Sequence, residues 1–165
     1  MSPRHELEPT LDGRGLRIGI VMSHCNRNTC ENLLAACLAA LARLGVARDD
    51  VTLCHVPGVL EIPLMLQTLA EAGDYDALIA LGSVIRADKG YRYEVVCNTC
   101  SAEIARLQLT HRLPIANAIL MTDGEPTHGL IPNGERAART AVAMANLLRA
   151  FRPATSAAAA HTATV

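Results

Sequence analysis

Hydrophobic and polar positions alternate in blocks along the chain, and each block carries its own period. Leu16 to Ser23 is apolar and rich in β-branched residues, which predicts a buried strand. His24-Cys25-Asn26-Arg27 follows as a polar loop, and Asn28 with Glu31 three residues on has the form of a helix N-cap and its reciprocal partner. Leu33, Leu34, Cys37, Leu38, Leu41 and Leu44 then recur at helical spacing as far as Gly45, which can end the helix in the left-handed conformation. Val51 to Val56 predicts a second strand, and Leu60 to Ala72 a second helix that admits Pro63 only in its first turn and is closed by Gly73. Tyr75 to Ser83 reads as a third strand, Glu94 to Leu109 as a third helix and Pro114 to Met121 as a fourth strand. Thr122 to Asn133 is rich in turn residues without a helical period, so a loop is expected. Ala138, Val142, Ala145, Leu148 and Phe151 mark a last helix from Gly134 to Phe151. The charged start, Met1 to Gly15, is expected to be a flexible arm, and Arg152 to Val165, Ala/Thr-rich with no apolar stripe, a disordered tail.

Strands alternating with helices predict one α/β domain over residues 16–151, with a parallel sheet and right-handed crossovers. Continuously apolar strands need helices on both faces of the sheet. The expected architecture is a three-layer α/β/α, flavodoxin-like sheet of order 2-1-3-4. Its switch point between strands 1 and 3 would bring the loops at Cys25 and Arg86 to one crevice, with the Gly58 loop close by.

Composition narrows the classes. The chain has 165 residues, half of them hydrophobic, and a net charge of −1, so no basic field points to nucleic acid. No apolar run reaches the roughly 18 residues of a membrane span, and Met1 to Gly15 has no signal-peptide core. A cytoplasmic protein is expected, with its six cysteines as thiols rather than disulfides. Cys97 and Cys100, at i and i+3, share one helix face and read as small core residues. A zinc site joining them to His24 and Cys25 would fit no common ligand spacing, and no metal is expected. Phe151, Tyr75, Tyr91 and Tyr93 are the only aromatic rings besides the histidines, so few side chains can stack on a bound ring.

Two polar segments should follow the C-terminal ends of parallel strands, where open α/β sheets hold ligands. Val56-Pro57-Gly58-Val59-Leu60-Glu61-Ile62-Pro63 offers a glycine turn, backbone groups and one carboxylate. Val84-Ile85-Arg86-Ala87-Asp88-Lys89-Gly90-Tyr91-Arg92-Tyr93-Glu94 offers two arginines, a lysine and two tyrosines. Together they describe a small-molecule site for a polar, anionic substrate.

These segments resemble the lumazine synthase family. The first corresponds to that family's Val-Pro-Gly-Ala-Phe-Glu-Ile-Pro, and Asp74 to Arg86 follows its third-strand pattern at the family's spacing. The resemblance spans Arg17 to Phe151. It implies condensation of 5-amino-6-(D-ribitylamino)uracil with 3,4-dihydroxy-2-butanone 4-phosphate through a Schiff base, with loss of phosphate and water and without a cofactor. It places Val59, Leu60 and Glu61 at the ribityl chain, with Glu61 accepting its hydroxyls, and Val84 and Ile85 at the pyrimidine pocket, with Gly58 and Ser83 as further substrate-binding candidates beside them. Cys25, beside Asn26, stands where the family has a stacking aromatic after strand 1, and Asn117 where it has one in strand 4. Asp88 and Lys89 fall in the phosphate loop, Arg92 at the catalytic His position, and His128 is a candidate phosphate contact. The Tyr91-Arg92 pair resembles the type II enzymes, which implies a homo-oligomer of pentamers, a decamer rather than a larger shell. A protein on the same fold that binds a flavin or lumazine without forming it, or that condenses another carbonyl/amine pair, is the alternative reading.

Overall fold

A strand buried on both faces organises the molecule, as its unbroken apolar run requires. A computed structural model of the chain describes residues 6–86, 91–124, 126 and 130–151. β1 (Ile18–Ser23) is buried at all six positions. It pairs in parallel with β2 (Val51–Val56) on one side and with β3 (Ala77–Ile85) on the other, and β3 pairs in parallel with β4 (Ile115–Thr122). The order is β2-β1-β3-β4, the expected flavodoxin-like arrangement.

The pleat sends alternate side chains to opposite faces. Ile18, Ile20, Met22, Ala77, Ile79 and Leu81 meet α1 (Arg27–Arg43) and α4 (Leu130–Ala150) in one core. Val21, Leu78 and Ala80 meet α2 (Ile62–Ala72) and α3 (Tyr91–His111) in the other. Ile62, Leu66 and Leu69 give α2 its buried stripe, each worth about 1.5–3 kcal/mol when fully removed from water. α1 and α4 pack through small residues, and their backbones approach so closely that a Cβ on Gly134 would lie 2.5 Å from the Leu33 carbonyl oxygen. Gly45 and Gly73 adopt the left-handed conformation that ends α1 and α2, at φ 92° and 75°.

Several boundaries differ from the sequence reading, each for a local reason. α1 begins at Arg27, capped by Asn26 in the left-handed region (φ 51°) with no side-chain cap, so Asn28 is already helical. Glu31 accepts a hydrogen bond from Arg27 Nε at 2.7 Å instead of serving a capping box. β3 and β4 run on through Ile85 and Thr122 because the Val84–Met121 and Ile85–Thr122 pairs continue the ladder. α4 starts at Leu130 rather than Gly134. Pro132 occupies its first turn, where the missing N–H has no intrahelical acceptor to lose. α3 likewise starts at Tyr91, one turn before the expected Glu94.

The last residues of the N-terminal arm are tied down. Asn146 donates to the carbonyls of Thr10 and Asp12 at 3.0 and 2.8 Å. Arg149 bridges Asp76, at 2.9 Å, and the Gly15 carbonyl, at 3.1 Å. Residues 1–5 and the expected tail, 152–165, lie outside the described residues. No described helix is long and apolar enough to cross a membrane.

Candidate active site

The C-terminal edge of the sheet opens into a cleft of about 370 Å³ at the switch point between β1 and β3. Cys25 and Asn26 line it from the loop after β1, Gly58 to Glu61 from the loop after β2, and Ser83, Val84 and Ile85 from the end of β3. Arg92 and Val96 face it from α3. Ten residues singled out from the sequence thus share one cavity although they come from four segments of the chain.

The local chemistry explains why these loops hold their shape. Asn26 donates its side-chain amide to the Ser83 carbonyl at 3.0 Å and so ties the β1 loop to the end of β3. Three thiols bind cleft carbonyls: Cys25 that of Pro57 at 3.5 Å, Cys30 that of Cys25 at 3.2 Å, and Cys100 that of Val59 at 3.5 Å. Gly58 has an ordinary extended backbone, φ −144°. What it supplies is space, because a Cβ there would lie 2.7 Å from Glu61 Oε2. Val59–Glu61 forms a single 3-10 turn ahead of α2, which presents Leu60, half exposed, and the Glu61 carboxylate at the helix N-terminus.

Two arginines flank the step from β3 to α3, and only Arg92 lines the cleft. Arg86, immediately after β3, has Nη1 3.2 Å from Glu94 and Nε 3.1 Å from Asp123, and its guanidinium lies 4.5 Å from the centre of the Tyr93 ring. Arg92 is exposed and makes no ion pair among the described residues. The first guanidinium is neutralised within the fold, while the second keeps its charge toward the cleft.

The cysteines serve packing. All six are free; Cys30, Cys37, Cys97 and Cys100 are buried and Cys25 is exposed. Burial pushes the Cys37 thiol up to about 12 and, with Cys97 adding to it, Cys100 up to about 11. Cys97 and Cys100 are therefore core residues on α3, as the i, i+3 spacing predicts. No group of three or more metal-ligating side chains is found among the described residues.

The family model described as 6,7-dimethyl-8-ribityllumazine synthase matches residues 15–149. The chain belongs to the 6,7-dimethyl-8-ribityllumazine synthase family. It is 52% identical over 148 residues to that synthase of Burkholderia multivorans, covering 88% of this chain and 86% of the relative. It is 48% identical over 148 residues to that of Chromobacterium violaceum, with 88% and 95% covered. The corresponding protein of Paraburkholderia phymatum is 51% identical over 144 residues, with 86% and 83% covered.

Of the other residues singled out from the sequence, Asn117 is described. Asn117 lies on β4, exposed, with its side-chain oxygen accepting from the Ile119 N–H at 3.0 Å, and it does not line the cavity. Asp88, Lys89 and His128 lie outside the described residues. Val96 is a lining residue that the sequence reading missed. Its signal was present, since it follows Arg92 by four positions and so shares its helix face.

Proposed function

We propose that this cleft condenses 5-amino-6-(D-ribitylamino)uracil with 3,4-dihydroxy-2-butanone 4-phosphate to 6,7-dimethyl-8-ribityllumazine, a transferase step of riboflavin biosynthesis. The observation that carries the reading is the convergence of the Gly58–Glu61 segment, the Ser83–Ile85 strand end and Arg92 on one cavity. Glu61 accepts hydrogen bonds from the ribityl hydroxyls, and Val59, Leu60, Val84 and Ile85 give the heterocycle an apolar wall. Cys25 stands at the lip with a slim thiol in place of a ring. Arg92, a fork that stays protonated, binds the phosphate or a developing oxyanion electrostatically and does not act as a base. Catalysis then rests mainly on holding the two substrates together.

Among the described residues no aromatic side chain lines the cavity, and Asn117 on the edge strand β4 is not part of its lining. This supports a homo-oligomer of pentamers in which the β4 side of one subunit completes the next subunit's site, assembled as a decamer. Six unpaired thiols suit a reducing compartment and support a cytoplasmic location. The test combines a condensation assay on the full chain with light scattering and with separate titrations by the ribitylamino-uracil and by inorganic phosphate. Product formation by a pentamer-based assembly is expected. Uracil binding with no turnover would instead favour a flavin- or lumazine-binding protein.

A further inference from the structure

The Arg86 guanidinium touches two other segments of the chain. Arg86 itself follows β3 directly, and its backbone N–H donates to the Thr122 carbonyl at 2.8 Å, one step past the β3–β4 ladder. Glu94, 3.2 Å from Nη1, belongs to the first turn of α3, as does Tyr93, whose ring lies against the guanidinium. Asp123 follows β4; its Oδ1 is 3.1 Å from Nε, and because Nε makes no hydrogen bond there, Asp123 acts as a charge rather than as an acceptor. Arg92 sits in that same first turn, immediately before Tyr93, and faces the cleft without an ion pair among the described residues.

We propose that Arg86 is a positioning residue for the condensation: by clamping Tyr93, Glu94 and Asp123 it sets the first turn of α3 so that Arg92 stays aimed into the cleft. The proposal rests on the role given to Arg92 above. Arg86 is poorly suited to hold the phosphate itself. Two carboxylates already face its guanidinium, so an incoming anion there would meet negative charge. The same carboxylates neutralise Arg86 and keep it from competing with Arg92 for substrate. A planar guanidinium is required, because a lysine ammonium carries the charge but cannot stack flat on a ring while also reaching two carboxylates.

The experiment is a kinetic cycle on the full chain with Arg86→Lys, Arg92→Ala and the double variant. Glu94→Gln serves as a second probe of the clamp that leaves Arg86 in place. Arg86→Lys is expected to lower kcat/KM for the phosphorylated ketone by about tenfold, as a small misplacement of a catalytic group does, and to leave KM for the amino-uracil unchanged. Glu94→Gln is expected to act in the same direction with a smaller effect. In the Arg92→Ala background, Arg86→Lys is expected to add nothing, since the residue it positions is gone. Losses that multiply in the double variant, or wild-type kinetics in Arg86→Lys, would overturn the proposal. Wild-type kinetics in Arg92→Ala would instead overturn the role of Arg92 on which it rests.

Discussion

Asn26 donates its side-chain amide to the main-chain carbonyl of Ser83 at 3.0 Å, and its own backbone is left-handed, at φ 51°. One residue therefore both turns the chain into α1 and joins two walls of the cleft. Asn26→Gly tolerates the backbone but loses the bond, which costs about 1 kcal/mol. Asn26→Ala loses the bond and adds left-handed strain, for a total of about 2–3 kcal/mol. Urea unfolding should rank the two variants in that order.

Glu61 and Gly58 are coupled through space. Glu61→Ala removes the charged acceptor, and affinity for a ribityl ligand should fall by roughly 1.5–3 kcal/mol with little change in stability. Gly58→Ala keeps an allowed backbone but puts a methyl group 2.7 Å from Glu61 Oε2, so the carboxylate must swing aside. Calorimetric titration should show both variants folded and both weakened. An unchanged affinity in Glu61→Ala would remove that residue from the site.

Arg92→His exchanges a permanent cation for a group that titrates near neutrality. Condensation by this variant should acquire a pH dependence between about 6 and 7 that the parent lacks, with weaker phosphate binding on the alkaline side. If the parent rate already shows such a step, another group handles the proton.

The thiols differ in access. A thiol reagent should modify exposed Cys25 first and half-buried Cys54 more slowly, with the other four reacting only on unfolding. Alkylated Cys25 should block the cleft. Unfolded thiols release their protons near 9.0, whereas Cys37 and Cys100 hold theirs to about 12 and about 11. Above the lower value the unfolded chain binds fewer protons, so stability is fully present below it and falls as pH rises toward the folded values. Denaturation midpoints should decline over that range, less steeply in Cys37→Ala.

Gly134 marks the tightest helix contact. A methyl group there would meet the Leu33 carbonyl at 2.5 Å and Ala36 Cβ at 2.8 Å, both fixed parts of α1. Gly134→Ala should raise helix propensity yet destabilise the domain by about 1–3 kcal/mol through overpacking, measurable by urea unfolding.

Much of this was legible in one dimension. A run such as Ile18–Ser23 has no polar stripe and reads as a strand covered on both sides, and strand runs separated by helical stripes leave a parallel sheet as the consistent solution. The Gly58–Glu61 and Ser83–Ile85 motifs pointed to the cleft because strand ends fix where their loops emerge. The start of α4 was hidden because Leu130 to Asn133 has no stripe to announce it.

The sequence by itself determined the order of elements, the family and the residues at the strand ends, because those depend on periodicity and on local chemistry. Tertiary structure decided which neighbours share a space. Nothing in the spacing of Asn26 and Ser83, 57 residues apart, foretells their bond. Nor does the sequence tell which of Arg86 and Arg92, six positions apart on one loop and helix, is neutralised by Glu94 and Asp123 and which keeps its charge for the cleft. That division follows from where β3 ends and α3 begins, and only the packed sheet sets those two points against β4.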